Sequence, residues 1–251
     1  MTAIPSLADL KSSERLDRGL VIVLPGIEGL SHLNRRMACG LALGGVAHAI
    51  EIYDWTYGQF WQLWSLRSRR RHTEQATLLA GKIAAYQNEY PGRPVHLVGH
   101  SGGGAMIAYT LEALEPDRKI TGGIMLVPAL SPGYSMKLAV SRTERGIWNF
   151  CSHGDFLFLG VGTLICGTTD GLHGVAAGIR GFSSRTVTEA THSETAVLRN
   201  VGYQWSMLST GHWGGHLSIS SSRFIARDVA PLIRDGAGDC SASKTTRRNS
   251  A

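Results

Sequence analysis

The sequence predicts an α/β domain: a mostly parallel, doubly wound sheet of about six strands, flanked by helices on both faces, with no large lid. Three observations predict it. Apolar runs rich in β-branched residues alternate with segments whose apolar residues recur at helical spacing. The first of these runs lacks the in–out alternation of a half-exposed strand, so both its faces are covered, as in a parallel sheet. The residues with chemical potential fall just after predicted strands, at the carboxyl ends where such sheets place their sites.

The elements follow in order. Gly19–Leu24 (GLVIVL) is the first buried strand, and Pro25–Gly29 is the loop after it. Ser31 is placed to cap a helix in which Leu33, Met37 and Leu41 recur every four residues. Val46–Tyr53 reads as the second strand, and Trp55–Arg71 as a long connection, aromatic and then basic. Thr73 is placed to cap a second helix with Leu79, Ile83, Tyr86 and Tyr90 on one face, stopped by Pro91-Gly92. Strand Val95–Val98 leads through a glycine turn into a helix-compatible run, Gly104–Leu114. Ile120–Val127, Ile147–Cys151 and Tyr203–Leu208 are the remaining predicted strands. Ser222–Ile233 closes the domain as a helix that Pro231 is placed to end early.

The chain has 251 residues, enough for one such domain with a substantial core. Its 43% hydrophobic and 18% charged content is that of a globular protein. Residues 1–18 read as a flexible N-terminal segment, 19–235 as the α/β domain and 236–251 as a disordered basic tail. Met1–Gly19 has no apolar signal-peptide core, and the longest apolar stretch, Phe156–Gly167, is too short to span a bilayer. A cytoplasmic protein without stable membrane insertion is expected. The spacing of Cys39, Cys151, Cys166 and Cys240 fits no zinc motif, so reduced thiols are expected. The net charge of +6 is concentrated in Arg67–His72 and Lys244–Arg248. Neither run interleaves aromatics, so both read as solvated segments and no nucleic-acid partner is expected. The oligomeric state is left open.

The motif that carries chemistry is Gly99-His100-Ser101-Gly102-Gly103. Glycine makes up 31 of the 251 residues, so the pentapeptide takes its force from its context of strand, sharp turn and helix. Glycines flank the turn because it is too tight for side chains, and the turn lifts the Ser101 hydroxyl clear of the sheet edge. A phosphate-binding Walker A loop is excluded, because Ala105-Met106 stand where that loop needs lysine and a hydroxyl residue.

With the early glycine loop and an acid and histidines in the order Ser…Asp…His, the chain resembles the α/β-hydrolase superfamily over about residues 19–235. The usual first two antiparallel strands have no counterpart in the 18 residues before Gly19, so a minimal form is implied. The resemblance implies a cofactor-free serine hydrolase that cleaves an ester or related acyl bond of a small-molecule substrate. Ser101 would be the nucleophile and Asp155, in Cys151–Asp155, the acid that orients the base; Asp170, in a turn-like Thr-Thr-Asp-Gly, is the second choice. The base is His216 in Gly-Gly-His-Leu, with His212 in Gly-His-Trp as the alternative. The oxyanion hole would use the backbone N–H groups of Ile27 and Gly102. His100 reads as a pocket residue, because neighbours in a sharp turn point apart. His212 and His216 also form H-x-x-x-H, but Trp213 holds the place of the required glutamate and two glycines oppose a helix, so no metal is expected. A different class remains open: a catalytically silent protein of this fold that binds a small apolar ligand or a protein partner.

Overall fold

The computed structural model describes residues 9–56, 68–152, 168–171, 175–191 and 196–234. Six strands form one sheet in the order β2-β1-β3-β4-β5-β6. They are β1 Leu20–Leu24, β2 Ala49–Ile52, β3 Val95–His100, β4 Gly122–Leu126, β5 Ile147–Cys151 and β6 Leu198–Gly202. All five neighbouring pairs are parallel. The helices are α1 Ser13–Leu16, α2 His32–Leu43, α3 Arg69–Glu89, α4 Gly102–Ala113, α5 Lys137–Ser141, α6 Ala177–Arg180 and α7 Ser184–Ala190. A C-terminal helix follows, built from Ser222–Phe224, a π turn Ile225–Val229, and Ala230–Arg234. No helix among the described residues is long and apolar enough to cross a membrane.

The sheet is covered twice, as its first strand demands. All five residues of β1 are buried. Leu20, Ile22 and Leu24 pack with Leu79 and Ile83 of α3 and Met106, Ile107 and Leu111 of α4. Val21 and Val23 point the other way, into Met37 and Leu41 of α2 and Phe224, Ile225 and Val229 of the C-terminal helix. Each such side chain contributes about 1.5–3 kcal/mol through removal from water. Because both faces are used, neither subset of β1 tolerates a polar residue.

Local signals set the helix starts. Ser31 Oγ accepts from the Leu33 N–H at 3.2 Å, and Asn34 Oδ1 accepts from the Ser31 N–H at 3.0 Å, so α2 opens with a reciprocal cap. Ser68 Oγ accepts from the Arg71 N–H at 3.2 Å, so α3 begins at Arg69, ahead of the expected cap at Thr73. Pro231 lies inside the C-terminal helix instead of ending it. The preceding π turn widens the ladder, with the Ala230 N–H reaching Ile225 O, just where a proline withholds its N–H and crowds the turn before it.

One further expectation is corrected, and the residues before β1 are described from Asp9. The last strand is β6, Leu198–Gly202, and Tyr203–Leu208 is not a strand: Trp205–Thr210 is a 3-10 helix. β6 is an edge strand with only Leu198 fully buried, so it shows no apolar run. The N-terminal segment is packed from Asp9 onward. Leu10 is fully buried, Arg15 Nη1 donates to Val46 O and His48 O at 3.1 and 2.8 Å, and Tyr86 OH donates to Leu16 O at 2.6 Å. Cys39 and Cys151 are free thiols. Cys166, Cys240, the tail 236–251 and the aromatics Tyr57, Phe60, Trp61 and Trp64 lie outside the described residues.

Candidate active site

Ser101 stands between β3 and α4 with φ 53° and ψ −118°. Only one other described non-glycine residue has a positive φ, and it is the neighbouring Val127 at 46°, just past β4. A β-branched residue there is strained. The two are held in one hydrogen-bonded knot. The Ser101 N–H donates to Leu126 O at 2.9 Å, and Ser101 O accepts from the N–H groups of Gly104 and Ala129 at 3.0 and 3.1 Å. The Val127 N–H donates to Phe150 O at 2.9 Å. The sheet therefore fixes the serine from three strands.

The glycines of the pentapeptide are required by close approach. A Cβ on Gly99 would lie 2.3 Å from Gly103 O, and one on Gly103 would lie 2.2 Å from Leu24 O and 2.4 Å from Pro25 O. The latter contact presses the start of α4 against the end of β1 and its loop. A Cβ on Gly102 would lie 3.2 Å from Ile27 Cγ2 and 3.0 Å from Trp55 Cζ2, so Ile27 and Gly102 are neighbours. Neither the Ile27 nor the Gly102 N–H has a hydrogen-bond partner among the described residues.

Two clamps hold the β1 loop. The buried Trp55 donates its indole N–H to Pro25 O at 2.7 Å, and its own carbonyl accepts from Arg71 Nε at 3.0 Å. Asp54 Oδ2 accepts from the Leu30 N–H at 3.2 Å, and Asn34 Nδ2 donates to Gly29 O at 2.9 Å.

The two histidines of the last loop differ. His216 is nearly buried, its ring centroid is 4.6 Å from that of His100, and its carbonyl lies 3.0 Å from His100 Nε2. His100 Nδ1 lies 3.9 Å from Glu28 Oε1, too long for a hydrogen bond and within ion-pair range only for a protonated ring. Burial pushes the Glu28 carboxyl up, but the facing His100, helped by the Gly26 N–H at 3.2 Å, outweighs it and holds the group below its ordinary value. His212 instead points into the protein. Its ring packs at 4.8 Å on Phe224 and 5.1 Å on Tyr203, and Nδ1 is 3.0 Å from Ser218 Oγ. Burial pushes its pKa down to about 4. Ser218 Oγ also accepts from the Trp213 and Gly215 N–H groups at 3.0 and 3.2 Å, so His212 is part of the pin that shapes the loop.

The elbow, Gly102 and the Ile27 loop thus come together, and His100 joins His216 to them. Asp155 lies outside the described residues. Asp170 is a turn residue: its carboxylate accepts from the Ser131 N–H and hydroxyl, and its carbonyl accepts from Arg69. A cavity of about 490 Å³ between α3 and α4 is lined by Arg69, His72, Tyr109, Glu112, Tyr134 and Asp170. It lies down the helices from the elbow, and Ser101 is not on its described wall. No cluster of metal-ligating side chains occurs among the described residues. Glu28 and Val127 escape sequence reasoning. The only hint for the first is a charged residue inside a glycine loop, and nothing in the sequence marks the second.

No protein-family model matches the sequence, and no curated protein is similar to it. Solved structures are. A dienelactone hydrolase-like promiscuous phosphotriesterase from metagenomic libraries matches with a TM-score of 0.53 and 16% identity, covering 88% of this chain and 87% of that one. A poly(3-hydroxybutyrate) depolymerase from Bordetella parapertussis matches with a TM-score of 0.52 and 14% identity, covering 91% and 83%. With its six parallel strands, helices on both faces and a serine at the β3–α4 turn, the chain has the α/β-hydrolase fold.

Proposed function

We propose that the chain is a serine hydrolase that cleaves an ester or related acyl bond of a small-molecule substrate. The observation that carries this reading is the backbone of Ser101. A serine is held at a strained positive φ at the carboxyl edge of a parallel sheet, beside two N–H groups with no partner among the described residues. Such strain persists where function requires the side chain to be presented.

The chemistry follows from the parts. Ser101 Oγ attacks the acyl carbon while His216 takes its proton, and the Ile27 and Gly102 N–H groups stabilise the oxyanion. The imidazolium then protonates the leaving group, and water releases the acyl-enzyme by the same route. Asp155 is the acid assigned to orient the base. His216 is favoured over His212 because it lies beside the elbow, while His212 is spent on the Ser218 pin. Both structural neighbours are named for hydrolytic activities, in keeping with the reading.

The test is labelling of the folded protein with a fluorophosphonate. Wild type is labelled, Ser101→Ala and His216→Ala are not, and His212→Gln retains labelling. A folded wild type that takes no label overturns the reading and favours a silent ligand-binding protein.

A further inference from the structure

We propose that the exposed apolar side chains on the segments either side of His100 dock on an anionic lipid–water interface. Among the described residues, eight large apolar side chains are strongly exposed, and five of them lie on two segments: Leu30 just after the β1 loop, and Trp205, Leu208, Trp213 and Leu217 on the 3-10 helix Trp205–Thr210 and the loop that follows it. Trp205 is 83% exposed and Trp213 74%, which makes them the most exposed of the eight. Indole rings that no protein core covers are the side chains suited to a headgroup boundary. Exposed apolar side chains concentrated on neighbouring segments mark an interaction surface, unlike apolar residues scattered singly.

The contacts of His100 bring the two segments to either side of its ring. Leu217 follows His216, whose carbonyl is 3.0 Å from His100 Nε2, and Leu30 lies two residues after Glu28, which faces the other side of the same His100 ring. The Trp213 N–H is tied to Ser218 Oγ at 3.0 Å, so this tryptophan rides on the pinned loop.

The charge beside the patch selects the partner. His32, Arg35 and Arg36, on the exposed start of α2, form an open depression with Cys39 and Ser222. Ser222 Oγ donates to Arg36 O at 3.0 Å, and Arg223 is exposed next to it. Arg227 Nη1 reaches Ser209 Oγ at 3.0 Å, which joins this basic face to Leu208. The acids nearby are engaged: Asp228 pairs with Arg227, and Asp54 accepts from Leu30 and Thr56. Arginines beside indoles and leucines fit a surface with negative headgroups over an apolar layer. This inference concerns these surface residues alone and stands whether or not Ser101 is a nucleophile.

The experiment uses full-length Ser101→Ala, so that turnover plays no part, and sedimentation with vesicles of phosphatidylcholine with or without phosphatidylglycerol. The protein is expected to bind the phosphatidylglycerol vesicles, to bind phosphatidylcholine alone far less, and to dissociate as salt rises. Arg35→Gln and Arg36→Gln should each lower the affinity roughly fivefold. Trp205→Ser with Trp213→Ser should lower it further, and tryptophan emission, blue-shifted by vesicles in the parent, should no longer shift. The proposal is overturned by absence of binding. It is overturned equally by binding that survives these four changes and is lost on neutralising Arg247 and Arg248. Concentration-dependent self-association abolished by Trp213→Ser would assign the face to a second copy and also overturn it.

Discussion

His100 Nε2 lies 3.0 Å from the carbonyl oxygen of His216, so the residue before Ser101 holds the loop that carries the proposed base. A carbonyl oxygen only accepts, which places the proton of this contact on Nε2. Nδ1 is thereby left facing the Glu28 carboxylate at 3.9 Å. His100 is a bridge between the β1 loop and the loop of His216.

Removing the bridge should loosen His216 without touching the reacting atoms. His100→Ala removes this hydrogen bond to the His216 carbonyl, at a cost of about 0.5–1.5 kcal/mol. We expect kcat to fall about 10- to 100-fold with KM nearly unchanged, since small misplacement of a positioned group has that effect. Steady-state kinetics on a chromogenic ester, read beside a urea melt, separate positioning from global instability.

Glu28→Gln should have a pH signature. The Glu28 carboxyl is depressed in the folded chain. Its contribution to stability is therefore present above its unfolded pKa and is lost as the pH falls through the lower folded value. The stability gap between wild type and Glu28→Gln should be open at neutral pH and close in acid. A gap independent of pH would assign the residue a packing role only.

His212 gives a second acid-sensitive term. Its pKa falls from an ordinary 6.5 to about 4 on folding, through burial. The unfolded chain binds that proton more tightly, so stability is whole above 6.5 and declines as the pH falls toward 4. His96, lowered to about 3 by burial and by the charges of His48 and Arg145, acts in the same direction. His212→Gln should be less stable at pH 7 yet lose less stability on going to acid. Urea titrations across this range check both halves.

The strain at Ser101 is measurable without substrate. Glycine takes positive φ freely, whereas alanine does not. Ser101→Gly should be about 1 kcal/mol or more stabler than Ser101→Ala, although both are inactive. Equal unfolding free energies would mean that the turn is relaxed.

Much of this architecture was legible in the sequence because it rests on local pattern. The GLVIVL run of β1, the Ser31 cap and Ile147–Cys151 are each written within a few neighbouring residues. The last strand was not, because an edge strand such as Leu198–Gly202 is half polar, while the apolar stretch after it serves an exposed surface. Val127 and the Glu28–His100 contact depend on segments brought together by the sheet, so no spacing announces them. The elbow stood out by its glycines, and the assignment of the base to His216 gains its support from a contact across the fold.

The zero-clearance contact of Gly103 with Leu24 O and Pro25 O has a consequence for how such a site can change. The Ser101 turn and the β1 loop form one rigid casting, with no slack for either to drift alone. If the chain is the proposed hydrolase, new substrate preferences come from the bordering loops, which can vary without disturbing this packed turn.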